Sequence, residues 1–240
     1  MTEAEGTFWS VGEDQGVVRY GEFFLTVVRA PFPGSSAVLD AHDPERAREF
    51  AASFGTVDAV LGELGAVSAT EGVGLGTRAD LDVVRVGCWG PVTEIVDPAL
   101  GNVGDDFPVW EQAKELRKRH PDAVVIGAAT VEHGSTYGAW AVLHPGGAEV
   151  FAAGWHGEGD WDVEGDTRAV VEAFGIDEDE LAEDGVDLDD GFEEFDWDGL
   201  ARLALGRVAP LGQEGRTVSV FRVRHTEDTT FAMEETWLEG

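Results

Sequence analysis

Three histidines and one glutamate are the residues whose types and spacing could build a catalytic metal site. His133, His144 and His156 are eleven and twelve residues apart, and Glu132 adjoins the first of them. Meandering strands could gather these side chains around one ion, which would give a small hydrolase or metal-dependent enzyme. No pair has the close helical or loop spacing that is typical of zinc ligands. The spacing favours scattered loop histidines, and we predict no metal site and no cofactor.

Cys88 is a second candidate for chemistry, because a thiolate beside an imidazole can act as a nucleophile. It is the only cysteine of the chain and follows the apolar residues of segment 83–87. In such a strand a small buried hydrophobic residue is the ordinary explanation, and no family-specific cysteine signature surrounds it. A single cysteine excludes an internal disulfide and a cysteine-rich zinc site, and it favours a reducing compartment.

The segment 157–198 carries most of the charge of the chain. It holds nineteen Asp or Glu residues against one base, Arg168, in a protein of 240 residues with a formal net charge of −32. Such a field speeds encounter with cationic partners and repels nucleic-acid backbones and anionic membranes. We therefore predict a non-enzymatic protein that binds a basic protein, of the inhibitor, immunity or nucleic-acid-mimic type. The predicted binding residues are Asp187, Asp189, Asp190, Glu193 and Glu194. An acidic surface that only maintains solubility is the alternative.

Two arginines near the C-terminus raise the question of an anion site. Arg222 and Arg224 share one face of a predicted strand with Val218 and Val220, in a chain with few basic residues. Two cations beside acidic neighbours more often form structural ion pairs than an anion site. The sequence therefore favours a structural role for both.

Residues 71–76 form a glycine-rich run with the pattern G-x-G-x-G. A phosphate-binding loop needs its glycines between a strand and the start of a helix, whereas a strand is predicted directly after this run, at 83–89. We predict a connecting loop.

Helices are predicted where a cap, an apolar period and a glycine stop agree. Asp43 and Pro44 start the first, which Gly55 ends, and Thr56 caps a second that carries Val57, Val60, Leu61 and Leu64 on one face. A further helix is predicted from Asp106 to His120. Within and after the acidic segment, the predicted helices start at Asp166, Asp177 and Asp196, with stops at Gly175 and Gly206.

Segment 17–28 is predicted as a strand or a hairpin, and strands are predicted at 83–89, 92–96, 123–126, 139–143, 148–153, 217–224 and 229–237. The wholly apolar run 123–126 is typical of a strand covered on both faces. Together these elements predict one α+β domain over residues 1–240, with a mixed, mostly antiparallel sheet and short amphipathic helices. The two predicted helix pairs, each with Phe-Gly at the junction, suggest similar halves at 1–129 and 130–240.

Four segments carry a family resemblance: residues 43–50, 85–90, 120–125 and 219–226. They resemble a family of uncharacterised proteins from high-GC bacteria, over most of the chain. The resemblance implies a cytoplasmic protein and assigns no activity and no residue role. The sequence agrees on location, because it has no window of eighteen apolar residues and no basic start followed by an apolar run. We expect a soluble cytoplasmic protein.

Overall fold

A single antiparallel sheet organises the chain. The computed structural model describes residues 7–72, 74–103, 107–212 and 214–238. The strands are β1 (Tyr20–Val28), β2 (Val57–Ser68), β3 (Val83–Trp89), β4 (Val92–Val96), β5 (Val124–His133), β6 (Ser135–Leu143), β7 (Glu149–Trp155), β8 (Trp161–Gly165) and β9 (Thr217–His225). They lie side by side in the order β2-β9-β3-β4-β1-β5-β6-β7-β8, and every neighbouring pair is antiparallel. The predicted α+β class with an antiparallel sheet is confirmed.

Helices cover both faces of this sheet. They are α1 (Pro44–Ser53), α2 (Arg78–Leu81), α3 (Pro108–Arg119), α4 (Thr167–Phe174), α5 (Glu178–Asp184), α6 (Trp197–Val208) and α7 (Glu227–Trp237), with a 3-10 turn at Pro98–Gly101. Buried side chains of α1, α2, α3 and α7 pack on the first face, and those of α4, α5 and α6 pack on the second. No helix of the described ranges has the length and apolar character needed to cross a membrane.

The strands alternate as a sheet covered on both faces requires. In β1, Leu25 and Val27 face the first core, while Phe24 and Val28 face the second. The run 123–126 is fully buried, as predicted, because β5 lies near the middle of the sheet. The hairpin from β6 to β7 is also confirmed, and Gly147 in its turn has a φ of 92°, which side chains rarely adopt.

Local capping signals set the helices of the acidic segment. The Asp166 carboxylate accepts hydrogen bonds from two amides of the first turn of α4, and Gly175 ends that helix with a left-handed φ of 63°. Asp177 and Glu180 form the predicted capping box of α5. Asp196 caps α6 as predicted. The predicted stop at Gly206 is wrong, because α6 continues to Val208, which is buried in the second core.

The prediction of a helix after Thr56 is wrong, because residues 57–68 form strand β2. Its register against β9 shifts between Val57 and Ala59, between Val60 and Gly62, and between Glu63 and Gly65. Each shift adds one residue to β2 relative to β9. One extra residue at about every third position gives the apolar residues of β2 a spacing that resembles a helix instead of the alternation of a regular strand. The helix pair of the first half is therefore absent, and the hypothesis of two similar halves loses the observation on which it rested.

The predicted strand 229–237 is also wrong, since these residues belong to α7. The Thr226 hydroxyl accepts a hydrogen bond from the amide of Thr229, and two acidic residues follow in the first turn, where the helix dipole favours negative charge. Met233 and Trp237, four positions apart, are fully buried in the first core. A strand was predicted because several side chains of this segment strongly favour β-structure.

Two smaller differences concern the starts of elements. The predicted helix start at Asp106 lies outside the described residues, and α3 begins at Pro108. The glycine-rich run leads into the short helix α2 before β3 begins, so it is not followed directly by a strand. With only four residues, α2 does not supply the long helix of a dinucleotide-binding unit.

Candidate interaction surface

The acidic segment 157–198 folds as β8, α4, α5 and the loop that leads to α6. Its apolar side chains, among them Val170, Phe174 and Leu181, are buried in the second core. The carboxylates lie on the opposite, solvent side of these elements, and most of the acidic residues are exposed. Packing of this segment therefore uses its apolar stripe and leaves the acidic side chains outside.

Residues 187–194, here called the acidic loop, have a defined backbone. The Asp187 carboxylate accepts the Asp189 amide at 2.9 Å, and the Asp187 carbonyl accepts the Asp190 amide at 3.3 Å. The Gly191 carbonyl accepts the amides of the third and fourth residues after it, at 3.0 and 2.9 Å. Val186 and Phe195 are buried at either end. Hydrogen bonds within the loop and buried residues at both of its ends therefore support its conformation.

The carboxylates of the acidic loop are largely uncompensated. Asp189 pairs with Arg168, and both side chains are exposed. Glu193 accepts the Gly157 amide at 2.7 Å. Within the described ranges, the other acidic side chains of the loop make no ion pair: Asp187, Asp190 and Glu194. Exposed pairs such as Arg168–Asp189 stabilise a fold by only about 0–1 kcal/mol.

Phe192 lies between Asp190 and Glu193 in the sequence and is 54% exposed. Its carbonyl accepts a hydrogen bond from the Trp197 indole at 2.9 Å, which ties the main chain of the loop to a buried residue of α6. Aromatic residues, Phe among them, are enriched in the cores of protein interfaces relative to the rest of the protein surface. Phe192 was not among the binding residues predicted from the sequence. The sequence does contain an indication that Phe192 is exposed, because Phe192 precedes the Asp196 cap and lies outside the apolar stripe of α6.

The structure does not bring the three histidines together. His133 ends β5 and His156 follows β7 at the same end of β6, where the His156 amide donates to the Thr136 carbonyl at 2.9 Å. His144 follows the other end of β6, and the eight residue-to-residue steps of this nine-residue strand, at about 3.3 Å each, separate its ends by about 26 Å. Glu132 is exposed near the first end. Among the described side chains, no group of three His, Cys, Asp or Glu residues could hold a metal ion.

The Cys88 thiol lies in an environment unlike that of an activated nucleophile. It is buried on β3, and burial raises the pKa of the thiol above its ordinary value. Its sulfur is 3.7 Å from the Thr93 hydroxyl. The nearest imidazole, His42, accepts the backbone amide of Cys88 on Nδ1 at 3.2 Å, so its Nε2 carries the proton and donates to the Ser219 hydroxyl at 3.0 Å. The His42 imidazole therefore bonds to the main chain of Cys88 and to the Ser219 hydroxyl, and not to the Cys88 thiol.

In contrast to the exposed carboxylates of the acidic loop, Asp97 belongs to a network of buried polar side chains. Asp97 is fully buried, and its carboxylate accepts hydrogen bonds from the Thr56 hydroxyl at 2.5 Å and the Ala99 amide at 2.9 Å. His225 Nε2 lies 3.0 Å from Asp97 Oδ1. Burial by itself would raise the pKa of Asp97, but the His225 charge and these hydrogen bonds hold that pKa below its ordinary value. The network joins the start of β2, the end of β4 and the end of β9.

The comparisons with known proteins place the chain in a family. Residues 8–240 match the model of a family of unknown function, DUF6333. The chain belongs to the DUF6333 family. The predicted membership of a family without an assigned activity is confirmed, whereas its origin in high-GC bacteria stays a prediction. No curated protein and no solved structure matches the chain.

Buried and exposed charged residues have different surroundings in this DUF6333 protein. Its buried charges have partners close by, since Asp97 contacts His225 and Arg78 contacts Asp82 at 2.8 Å. The acidic loop instead has solvent-exposed carboxylates and the exposed side chain of Phe192. The acidic loop is therefore the candidate interaction surface of this DUF6333 chain.

Proposed function

We propose that the protein is a non-enzymatic interaction protein that binds a basic protein partner through the acidic loop, as an inhibitor, an immunity protein or a nucleic-acid mimic would. The observation that carries the proposal is the ordered acidic loop itself. Within eight residues it presents the exposed carboxylates of Asp187, Asp190 and Glu194 and the exposed ring of Phe192, on a backbone that makes hydrogen bonds within the loop. A preformed loop loses little conformational entropy when it binds.

The two kinds of side chain have separate roles in this proposal. The carboxylates attract a cationic surface from a distance and speed its encounter, an effect that salt screens. Phe192 supplies the short-range contact by entering an apolar depression between Lys or Arg side chains of the partner. The partner is therefore a basic protein with an apolar pocket inside its basic patch. The same negative charge disfavours nucleic-acid backbones and anionic membranes as partners. The proposed location of the interaction is the cytoplasm, because a chain with a single cysteine and no internal disulfide suits a reducing compartment.

Solubility alone is the competing role of the acidic surface. It requires net charge but no particular position of that charge. Binding requires the carboxylates of the acidic loop and its aromatic ring. Two variants with equal charge change separate these roles. The loop variant changes Asp187, Asp189, Asp190, Glu193 and Glu194 to their amides. The matched control changes five exposed acids of the same segment outside the loop, Glu158, Asp160, Glu172, Asp179 and Glu183, to their amides.

The experiment is affinity capture from a lysate of the source cells at low ionic strength, with wild type, the loop variant and the control variant as baits. We expect a basic protein that wild type and the control retain and the loop variant loses. Circular dichroism verifies that all three baits are folded. Retention of the same proteins by all three baits, or of no basic protein by wild type, contradicts the proposal and leaves solubility as the role of the acidic segment.

A further inference from the structure

A cavity of about 500 Å³ opens where β1 separates from β4. The pairing of the two strands ends at Leu25 and Ile95, and nearer its start β1 pairs only with β5 among the described strands. After β4 the chain enters the 3-10 turn at Pro98–Gly101 and no longer follows β1. Residues 21–24 and Val96 line the cavity at this fork. Its volume lies within the usual range for small-molecule sites.

The second face of the sheet brings one carboxylate and several apolar side chains to this cavity. Thr26 and Glu94 lie directly opposite each other on β1 and β4, and the Thr26 hydroxyl donates to the Glu94 carboxylate at 3.3 Å. Phe24 is two residues from Thr26 on β1, so its side chain lies on the same face. The cavity is also lined by Phe24, by Val218 of β9 and by Leu205 of α6, which all belong to the second core or pack against it.

Residues 69–72 form the wall nearest β9, and Arg85 fastens them. Arg85 Nη1 donates to the Glu71 carbonyl, and its Nη2 donates to the Gly72 carbonyl at 2.9 Å. The Ala69 amide donates to the Arg216 carbonyl at 3.0 Å. The Arg85 guanidinium therefore holds main chain in place, and a wall that is already formed loses little entropy when a ligand binds.

Acidic residues outnumber basic residues around the cavity. Among its described lining residues, the acids are Glu22, Glu71 and Glu94, and the one base is Arg85. Arg216 lies within electrostatic reach of Glu94 and adds a second positive charge nearby. The net charge of −32 on the whole chain attracts cations and repels anions. The charge around this cavity therefore favours a cationic ligand over an anionic one.

We propose that this cavity, here called the fork cavity, binds a small organic cation, a primary amine with an apolar body. The ammonium group donates to the Glu94 carboxylate, whose two oxygens can accept several hydrogen bonds and so accommodate a ligand in addition to the Thr26 hydroxyl. The apolar body packs on Phe24, Val218 and Leu205. The fork cavity shares no lining residue with the acidic loop, so either proposal can fail without the other.

Isothermal titration with two amines, phenethylamine and hexylamine, tests the fork cavity. Both amines are cations at pH 7, and at about 0.15 M ionic strength the attraction of charges beyond about 8 Å is screened. Phenethyl alcohol and hydrocinnamate have the same ring with a neutral and an anionic end. We expect saturable binding of at least one amine, and weaker binding of the alcohol and the anion. The proposal is overturned if neither amine binds at concentrations up to about 10 mM. It is also overturned if the alcohol or hydrocinnamate binds as tightly as phenethylamine.

Three variants locate the binding. Glu94→Gln keeps the size of the side chain and an oxygen that accepts the Thr26 hydroxyl, and we expect it to weaken amine binding by about tenfold. Glu22→Gln removes an exposed charge of the lining, so a smaller loss of about twofold is expected without an effect on folding. Glu172→Gln on α4 is the matched control, because Glu172 is exposed and does not line the cavity.

Melting temperatures verify that the three variants are folded. Binding of phenethyl alcohol is expected to be the same in wild type and Glu94→Gln, because only the charge of the ligand end is affected. Amine binding by Glu94→Gln at wild-type strength overturns the proposal. Equal losses in Glu94→Gln and Glu172→Gln, or in Glu22→Gln and Glu172→Gln, would show a general charge effect and overturn it as well.

Discussion

Asp97 and His225, which are 128 residues apart in the chain, meet in the interior of the protein with Oδ1 of the aspartate 3.0 Å from Nε2 of the histidine. Neither side chain is accessible to solvent. The contact fastens the end of β4 to the end of β9. Thr56 adds the start of β2 to the same carboxylate. The start of β2, the end of β4 and the end of β9 are therefore linked through one buried carboxylate.

Removing that acid is expected to be costly. Asp97→Asn leaves His225 without its charged partner in the interior, and loss of one member of a buried pair typically costs about 3–5 kcal/mol. Asp58→Asn is the control, because it breaks the exposed Arg224 pair, where the expected cost is about 0–1 kcal/mol. Urea unfolding at pH 7 measures both free energies. Equal stability of the two variants would contradict the role of the buried pair.

The same contact predicts a pH dependence. The pKa of Asp97 is lowered in the folded state, so its contribution to stability is complete above the unfolded pKa of about 3.9 and is lost as the pH falls through the folded value. The difference in unfolding free energy between wild type and Asp97→Asn is therefore expected to shrink as the pH falls below about 4. A difference that is unchanged at pH 3 would show that the carboxylate is not held ionised.

Cys88 is expected to be inert in the folded protein. Burial restricts access to its thiol and raises the pKa, which lowers the fraction of reactive thiolate. We expect an aromatic disulfide reagent to modify the native protein only on the timescale of unfolding, and to modify the urea-unfolded chain at once. Rapid labelling of the native state would reopen the hypothesis of a cysteine nucleophile.

The assignment of residues 227–237 to a helix gives a paired stability prediction. Trp237 is fully buried in the first core, whereas Phe231 of the same helix is 64% exposed. Trp237→Ala is expected to cost about 3–5 kcal/mol of unfolding free energy. Phe231→Ala is expected to stay within about 0.5 kcal/mol of wild type, as surface substitutions do. Similar costs for the two changes, measured in urea, would place the wrong face of α7 in the core.

The elements that the sequence predicted correctly depend on neighbours in the chain. Asp166 and Asp177 bond to amides within three residues, so the caps of α4 and α5 follow from local chemistry. The apolar run of β5 likewise follows from composition alone. These local rules were sufficient for the antiparallel class and for the helices of the acidic segment.

The errors arose where distant contacts decide the structure. Strand β2 follows β9 through three register shifts, and Thr56 bonds to Asp97 instead of capping a helix. Nothing near Thr56 in the sequence indicates that contact. The candidate site likewise combines features that follow from the local sequence with features that depend on other parts of the fold. The acidic residues of the loop were evident from composition, whereas the exposure of Phe192 depends on how the loop is anchored at Trp197.

Association kinetics test the role of the acidic loop most directly. The captured basic partner is mixed with wild type, with the loop variant and with the control variant across an ionic-strength series, and Phe192→Ala is measured alongside them. We expect the loop variant to associate more slowly than the control, most strongly at low salt, and Phe192→Ala to dissociate faster with little change in association rate. If the loop variant and the control associate at equal rates at every salt concentration while both are folded, the acidic loop is not the binding surface.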